Sequence, residues 1–267
     1  LSEDKSLKAF SAADELILER FSELSSKDKP LVIYNDRFGY LTCHLADLKT
    51  STVYTNKSQL SAITSNCKAN GINFENYCDP LSPLAYKVDF ALLKVPKSLA
   101  LFELYLQHIS ENSTTKVQVV IGFMTRHFSP KMIEIAEKYF ENVEQSRAVK
   151  KARTATLTGK KKIEKASLID SLEFNNYNYQ QYWGVFSAKH IDYATQYFLK
   201  HLQVDPKDQN ILDLASGNGV IAKEISKKLP QSTFHLVDDS YLAVESAKLN
   251  MNGENVQHYF ENNLSNF

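Results

Sequence analysis

Between Asn210 and Ala222 the chain reads Asn-Ile-Leu-Asp-Leu-Ala-Ser-Gly-Asn-Gly-Val-Ile-Ala, and no other stretch limits the fold so strongly. An apolar run carrying one acid, Asp213, gives way to a Gly-Asn-Gly turn and then to a helical pattern, the signature of strand, tight loop and helix. Gly217 and Gly219 let the backbone come close to a ligand. A second apolar run ends at Asp238, about 20 residues on, where a carboxylate can accept from ribose hydroxyls. The stretch reads as a nucleotide-type pocket on an α/β scaffold.

The identity of the ligand turns on Asp213. Residues 217–222 also satisfy G-x-G-x-x-A, the pattern of a dinucleotide loop, which keeps a nicotinamide-dependent dehydrogenase open as a reading. An acid inside the strand, just before the loop, repels a pyrophosphate but suits a cationic ligand carrying an amino group and a sulfonium. S-adenosylmethionine is such a ligand. The bland alternative is a buried strand acid satisfied by the turn that follows it.

The rest of the chain supplies strands alternating with helices, which predicts mostly parallel sheets covered on both faces. Leu7, Phe10, Ile17, Phe21 and Leu24 form one helical stripe. Leu31–Tyr34, residues 52–55, residues 88–95 and residues 117–123 read as strands. A helix begins near Ser58, whose hydroxyl can serve as its N-cap, another covers residues 99–109, and Pro130 opens a third. A helix also follows from about Asp192 to Leu202, and residues 256–260 form a later strand. With 267 residues, two domains are expected, 1–165 and 166–267, the boundary falling near Lys165.

Composition adds exclusions. Lysine plus arginine and aspartate plus glutamate both number 31, so any nucleic-acid surface must be a local patch. Cys43, Cys67 and Cys78 are scattered outside metal-ligand spacing, so no metal is expected and the thiols read as those of a reduced cytoplasmic protein. No apolar run reaches the roughly 20 residues of a membrane helix. A local patch does exist on paper: Arg147, Lys150, Lys151, Arg153, Lys160, Lys161, Lys162 and Lys165 stand against one acid, Glu164. Lys150, Lys151, Arg153, Lys160, Lys161 and Lys162 are candidate phosphate contacts; a solvated hairpin leading into a linker is the alternative. A non-catalytic RNA-binding module is therefore a second functional class.

The two halves also resemble each other. Residues 32–41 pair with 212–221, so that Gly39 meets Gly219; allowing a two-residue difference in loop length, Asn56 then pairs with Asp238 and Asn70-Gly71 with Asn252-Gly253. Ile33 stands where the second half has Asp213, and Arg37 where it has Gly217. An arginine there fills the space a ligand needs, so the first domain is expected to keep the scaffold without the pocket, as a docking or supporting domain.

Asp213-Leu214-Ala215-Ser216-Gly217-Asn218-Gly219 resembles motif I of class I methyltransferases, and residues 237–244 resemble their second motif. Gly184-Val185-Phe186-Ser187 followed by Ile191-Asp192 is similar to the G-V-F-S-x-x-x-L-D entry of bacterial ribosomal RNA guanine-N2 methyltransferases, of the large-subunit methyltransferase G type with the small-subunit methyltransferase C type as near relative. Asn35-Asp36-Arg37-Phe38-Gly39, residues 94–100 and residues 150–153 resemble that family's degenerate first domain. The resemblance implies two tandem Rossmann-like class I methyltransferase folds, the first degenerate and the second incomplete. It implies Asp213 near the methionine amino group of S-adenosylmethionine, Gly217, Asn218 and Gly219 against the cofactor, Asp238 and Asp239 at the ribose side, Asn263 near the adenine, and Phe186 and Ser187 beside the methionine. The implied substrate is a guanine N2 in ribosomal RNA; the sequence leaves the oligomeric state open, a monomer being favoured. Tyr182 and Trp183 are candidate base platforms, with a core role as the alternative. The family's N-P-P-[FY] signature, which holds the target base, has no counterpart within residues 1–267, and Lys94-Val95-Pro96-Lys97 at the aligned place lacks its asparagine and aromatic. The chain is thus expected to be a fragment of a longer enzyme and inactive by itself.

Overall fold

The computed structural model describes residues 8–24, 29–187 and 190–264. They divide into two compact units, one of Leu1–Thr55 with Gln59–Lys165 and one of Asn56–Ser58 with Ala166–Phe267.

In the first unit the elements run α1 (Ala12–Leu24), β1 (Leu31–Tyr34), α2 (Tyr40–Leu45), β2 (Thr50–Val53), α3 (Lys57–Ala69), β3 (Tyr77–Cys78), β4 (Val88–Lys94), α4 (Leu99–Asn112), β5 (Ser113–Met124), α5 (Pro130–Tyr139), β6 (Phe140–Gln145) and β7 (Ala152–Lys160). They form a seven-stranded sheet of order β3-β2-β1-β4-β5-β7-β6, in which only β7 runs antiparallel to the other strands. β1 is buried along its whole length because helices cover both faces, which is why its sequence is unbroken apolar. Ala13, Ile17 and Phe21 of α1 are buried, and Ile17 and Phe21 join Leu31, Ile33, Phe90, Leu92 and Val120 in one core. Gly122 permits this approach, since a Cβ there would meet Ile17 at 2.5 Å and the Ala13 carbonyl at 3.0 Å. α1 starts at Ala12, not at Leu7, which lies outside the described residues. Ser58 is the second residue of α3, so its hydroxyl does not cap that helix.

In the second unit β8 (Ile169–Phe174) and β9 (Tyr177–Tyr182) form an antiparallel hairpin. Its two-residue turn has Asn175 and Asn176 at positive φ, the backbone that tight hairpins require and asparagine tolerates. α6 (Tyr193–His201), β10 (Asn210–Leu214), α7 (Val220–Ser226), β11 (Thr233–Asp238), α8 (Tyr241–Asn250) and β12 (Val256–Phe260) follow. β10, β11 and β12 make a parallel sheet in that order. Ala222, Ile225, Phe234, Leu236, Ala247 and Met251 form its core. Among the described residues β10 has no partner strand on its outer edge, and Leu212 and Leu214 are 47% and 53% exposed.

The repeat is visible in the backbone. Gly39 and Gly219 begin α2 and α7 with φ/ψ of 85°/19° and 78°/15°, and four residues earlier Asn35 and Ala215 sit at φ 55° and 58°. Each glycine faces the next helix: a Cβ would meet Ile63 of α3 at 3.2 Å in one unit and Ala247 of α8 at 3.3 Å in the other. The register beyond α2 and α7 corrects the sequence pairing, however. Tyr34 lies beside Val53 and, equivalently, Leu214 beside Val237, so Tyr54, not Asn56, occupies the place of Asp238. The loop before β11 is longer than its counterpart by four residues rather than two, because a surface connection absorbs length without disturbing the strands.

Candidate cofactor site

Asp213 is buried in β10, with one side-chain oxygen accepting from the Ala222 amide at 3.2 Å. That amide belongs to the first turn of α7, which has no intrahelical partner of its own. Burial pushes the carboxyl up to about 6, the Ala222 bond pulls it back and the nearby Asp238 charge raises it further. In the first unit the equivalent amide, that of Thr42, is capped instead by Asp36, at 2.8 Å, from within the loop. Asp36 also accepts from Gly39, and its pKa too is raised by burial. Both units thus cap the helix with a buried acid, and only the second brings it from the strand.

The loop between β10 and α7 is shaped by its own bonds. The Ser216 amide donates to Val237 at 3.1 Å, and the Gly219 amide to Ser216 at 2.8 Å. The Gly217 amide donates to Asp238 at 2.8 Å, and the other Asp238 oxygen accepts from Ser240 at 2.8 Å. Asp238 therefore ties the glycine loop to the end of β11. Gly217 has φ 57°, and a Cβ on it would meet nothing within 4 Å, so the loop opens onto free space at that point. The Ser216 hydroxyl is buried with no hydrogen-bond partner among the described residues. A donor left in that condition normally carries a desolvation cost unless a ligand or water meets it. An orphaned hydroxyl, an open glycine and two carboxylates fit a ligand bearing an amino group and a diol.

Other expected residues are distributed less simply. Asn218 is buried, and its side chain donates to Gln181 at 3.0 Å, leaving its backbone on the loop. The Asp239 carboxylate accepts from the Ser58 amide and hydroxyl, both at 2.7 Å, and from Asn56 at 3.2 Å, in the short stretch grouped with the second unit. Asn263 is exposed beyond β12. Phe186 is 81% exposed, and Ser187, at φ 63°, donates to the His190 carbonyl at 2.5 Å. Tyr182 donates its amide to Ser246 at 2.9 Å, and Trp183 its indole to Asp170 at 3.0 Å.

The basic stretch splits in two. Lys150 and Lys151 occupy the β6–β7 turn at φ 49° and 61°, with Arg153 at the start of β7. Lys160 ends the same strand, and a nine-residue strand separates its ends by roughly 27 Å. Lys160 donates to the Ser110 and Ser113 carbonyls at 2.7 and 2.9 Å, so it is a structural link, its pKa lowered by burial and by Lys87. Lys161 donates to the Glu137 carbonyl at 2.6 Å, and Lys162 is exposed. No cluster able to hold a metal ion occurs among the described residues, and none of their helices is long and apolar enough to cross a membrane. Sequence reasoning missed Gln181, Ser216 as an orphan, and Asn250; their partners lie far along the chain or become evident only through burial.

A parallel sheet whose first strand runs into a left-handed glycine loop, with an acid closing the second strand and holding that loop, defines the class I methyltransferase fold. Residues 176–266 match the methyltransferase small domain, and residues 1–161 match the RLMG N-terminal domain. The chain belongs to the ribosomal RNA large-subunit methyltransferase G family. It is 30% identical over 254 residues to the methyltransferase G of Pseudoalteromonas translucida, covering 93% of this chain and 66% of that protein. With that of Pseudomonas fluorescens it shares 32% over 256 residues, covering 93% and 68%. The chain thus spans about two thirds of the length of the curated relatives it matches. Its fold is like that of a T. thermophilus 16S rRNA N2 methyltransferase solved with AdoMet and guanosine, at TM-score 0.69 and 17% identity, over 90% of this chain and 66% of that one.

Proposed function

We propose that the second unit binds S-adenosylmethionine and serves methylation of a guanine N2 in ribosomal RNA, in the cytoplasm and as a monomer. The observation carrying this reading is the open space at Gly217, whose amide donates to Asp238, in the loop that follows the buried Asp213. Bound there, S-adenosylmethionine supplies a sulfonium methyl that is already electrophilic, so the protein's task is positioning. Asp213 holds the methionine ammonium. Asp238 accepts from the ribose diol while its bond to Gly217 keeps the loop in place. Gly217, Asn218 and Gly219 bring backbone against the cofactor, Ser216 gains a partner for its orphaned hydroxyl, Asn263 flanks the adenine, and Phe186 and Ser187 flank the methionine. Asp239, next to Asp238 and held by Asn56 and Ser58, is a further cofactor-binding residue.

The first unit docks RNA or supports the second, with Lys150, Lys151 and Arg153 as its phosphate-facing cations. The test is calorimetric titration with S-adenosylmethionine and, separately, NAD. Micromolar binding of the former, weakened at least about tenfold in Asp213→Asn, supports the reading, a tenfold change being about 1.4 kcal/mol. Binding of NAD alone, or salt-dependent RNA binding with no cofactor binding at all, refutes it.

A further inference from the structure

The structure assigns to Gln181 the role of a positioning residue that couples the two walls of the cofactor site; this rests on the S-adenosylmethionine reading of the second unit. Gln181 is 1% exposed, near the end of β9. Its Oε1 accepts from Asn218 Nδ2 at 3.0 Å, which grips the glycine loop. Its Nε2 faces the carbonyls of Val185, Phe186 and Ser187 at 3.4, 3.3 and 3.4 Å. Those three carbonyls converge because the chain turns tightly around the amide, with Gly184 and Ser187 both at positive φ. One side-chain amide thus joins the loop expected under the cofactor to the turn expected beside its methionine, and no other side chain bonded to both is found among the described residues.

The first unit provides an internal control. Asn250 of α8 donates to the Asn218 carbonyl at 2.8 Å, and Asn66 of α3 donates to the Phe38 carbonyl at 2.7 Å. Phe38 stands at the Asn218 position of the repeat, so the clamp from the following helix is common to both units and belongs to the scaffold. The side-chain link is not common, since a phenylalanine ring cannot donate the bond that Asn218 makes to Gln181. The link is present in the unit with the open glycine and absent from the unit where Arg37 stands in its place. Its function is therefore to hold the pocket walls together, not simply to fold the loop.

The test compares the full chain with Gln181→Met, which keeps the length of the side chain but removes both amide functions, and with Gln181→Glu, which keeps the acceptor toward Asn218 but sets an oxygen against the three carbonyls. Three quantities are read at 25 °C: the dissociation constant for S-adenosylmethionine, the thermal midpoint, and the fluorescence of Trp183, the one tryptophan of the chain, which adjoins the turn. Both variants are expected to bind about tenfold more weakly while still folded, with a changed Trp183 emission in the free protein that cofactor restores only at higher concentration. A lowered midpoint with unchanged affinity and emission in either folded variant assigns Gln181 a merely structural role and overturns the inference. Failure of the unsubstituted chain to bind overturns the cofactor reading and this inference together, whereas unchanged binding in the variants overturns this inference alone.

Discussion

Asp213 carries two demands that conflict. Its carboxyl lies raised to about 6, so the folded protein retains a proton there over a range in which the unfolded chain, near 3.8, has lost it. Stability contributed by this group therefore falls as pH rises from about 4 to about 6, by on the order of 3 kcal/mol, and stays lost above that window. Asp213→Asn, which can still accept from Ala222, is accordingly expected to raise the thermal midpoint at pH 8 relative to the unsubstituted chain and to change it little at pH 4, as scanning calorimetry at the two pH values can check. A charge retained at such a cost fits a group that meets a cationic ligand. Ala215 is a second strained position, since φ 58° costs an alanine roughly 1 kcal/mol relative to its usual backbone. Ala215→Gly should stabilise by up to about that amount in chemical denaturation; a loss of stability would argue that the loop is held in this shape by more than its own backbone. Asp213, Gly217 and Asp238 were readable from the sequence because spacing along a strand and its loop is local information. Gln181 and Asn250 were not: each is an ordinary amide in a polar stretch until folding brings its partners to it.

At the scale of elements, β1 and β10 are equivalent strands in different surroundings. β1 lies between β2 and β4 and is buried throughout, while β10 pairs only with β11 among the described residues and exposes Leu212 and Leu214. The alternation of strands and helices was legible because buried parallel strands are apolar runs with sharp ends. The β8–β9 hairpin was not, since its strands are rich in tyrosine, asparagine and glutamine and carry no clean alternation. The four-residue loop difference that puts Tyr54 opposite Asp238 was equally hidden, because loop length leaves no mark on the strands it joins.

For the whole molecule, the two units share a strand, glycine loop and helix, and the cofactor pocket is proposed for the second alone. Arg37 at the Gly217 position and Tyr54 at the Asp238 position each remove something a nucleoside ligand needs, space in one case and a charged acceptor in the other. Residues 1–165 are therefore expected to show no S-adenosylmethionine binding in titration, and micromolar affinity there would contradict the assignment of the pocket to the second unit. The same unit bears the cations proposed for RNA, and its geometry decides which of them can act together. Lys150, Lys151 and Arg153 cluster at one end of β7; Lys160 at the other end is held by backbone carbonyls, leaving Lys161 and Lys162 beyond it. If the turn meets phosphates, replacing Lys150, Lys151 and Arg153 with glutamate should weaken RNA binding and lower the slope of log affinity against log salt by about 2, near 0.7 for each phosphate of a single strand that is no longer neutralised. Lys161→Glu with Lys162→Glu changes charge at the far end of the strand and should leave most of that slope in place. Filter binding at several salt concentrations separates the two: an equal loss from both sets would mean that the whole basic face acts as a diffuse field, and no loss from the first would remove the β6–β7 turn from the RNA surface.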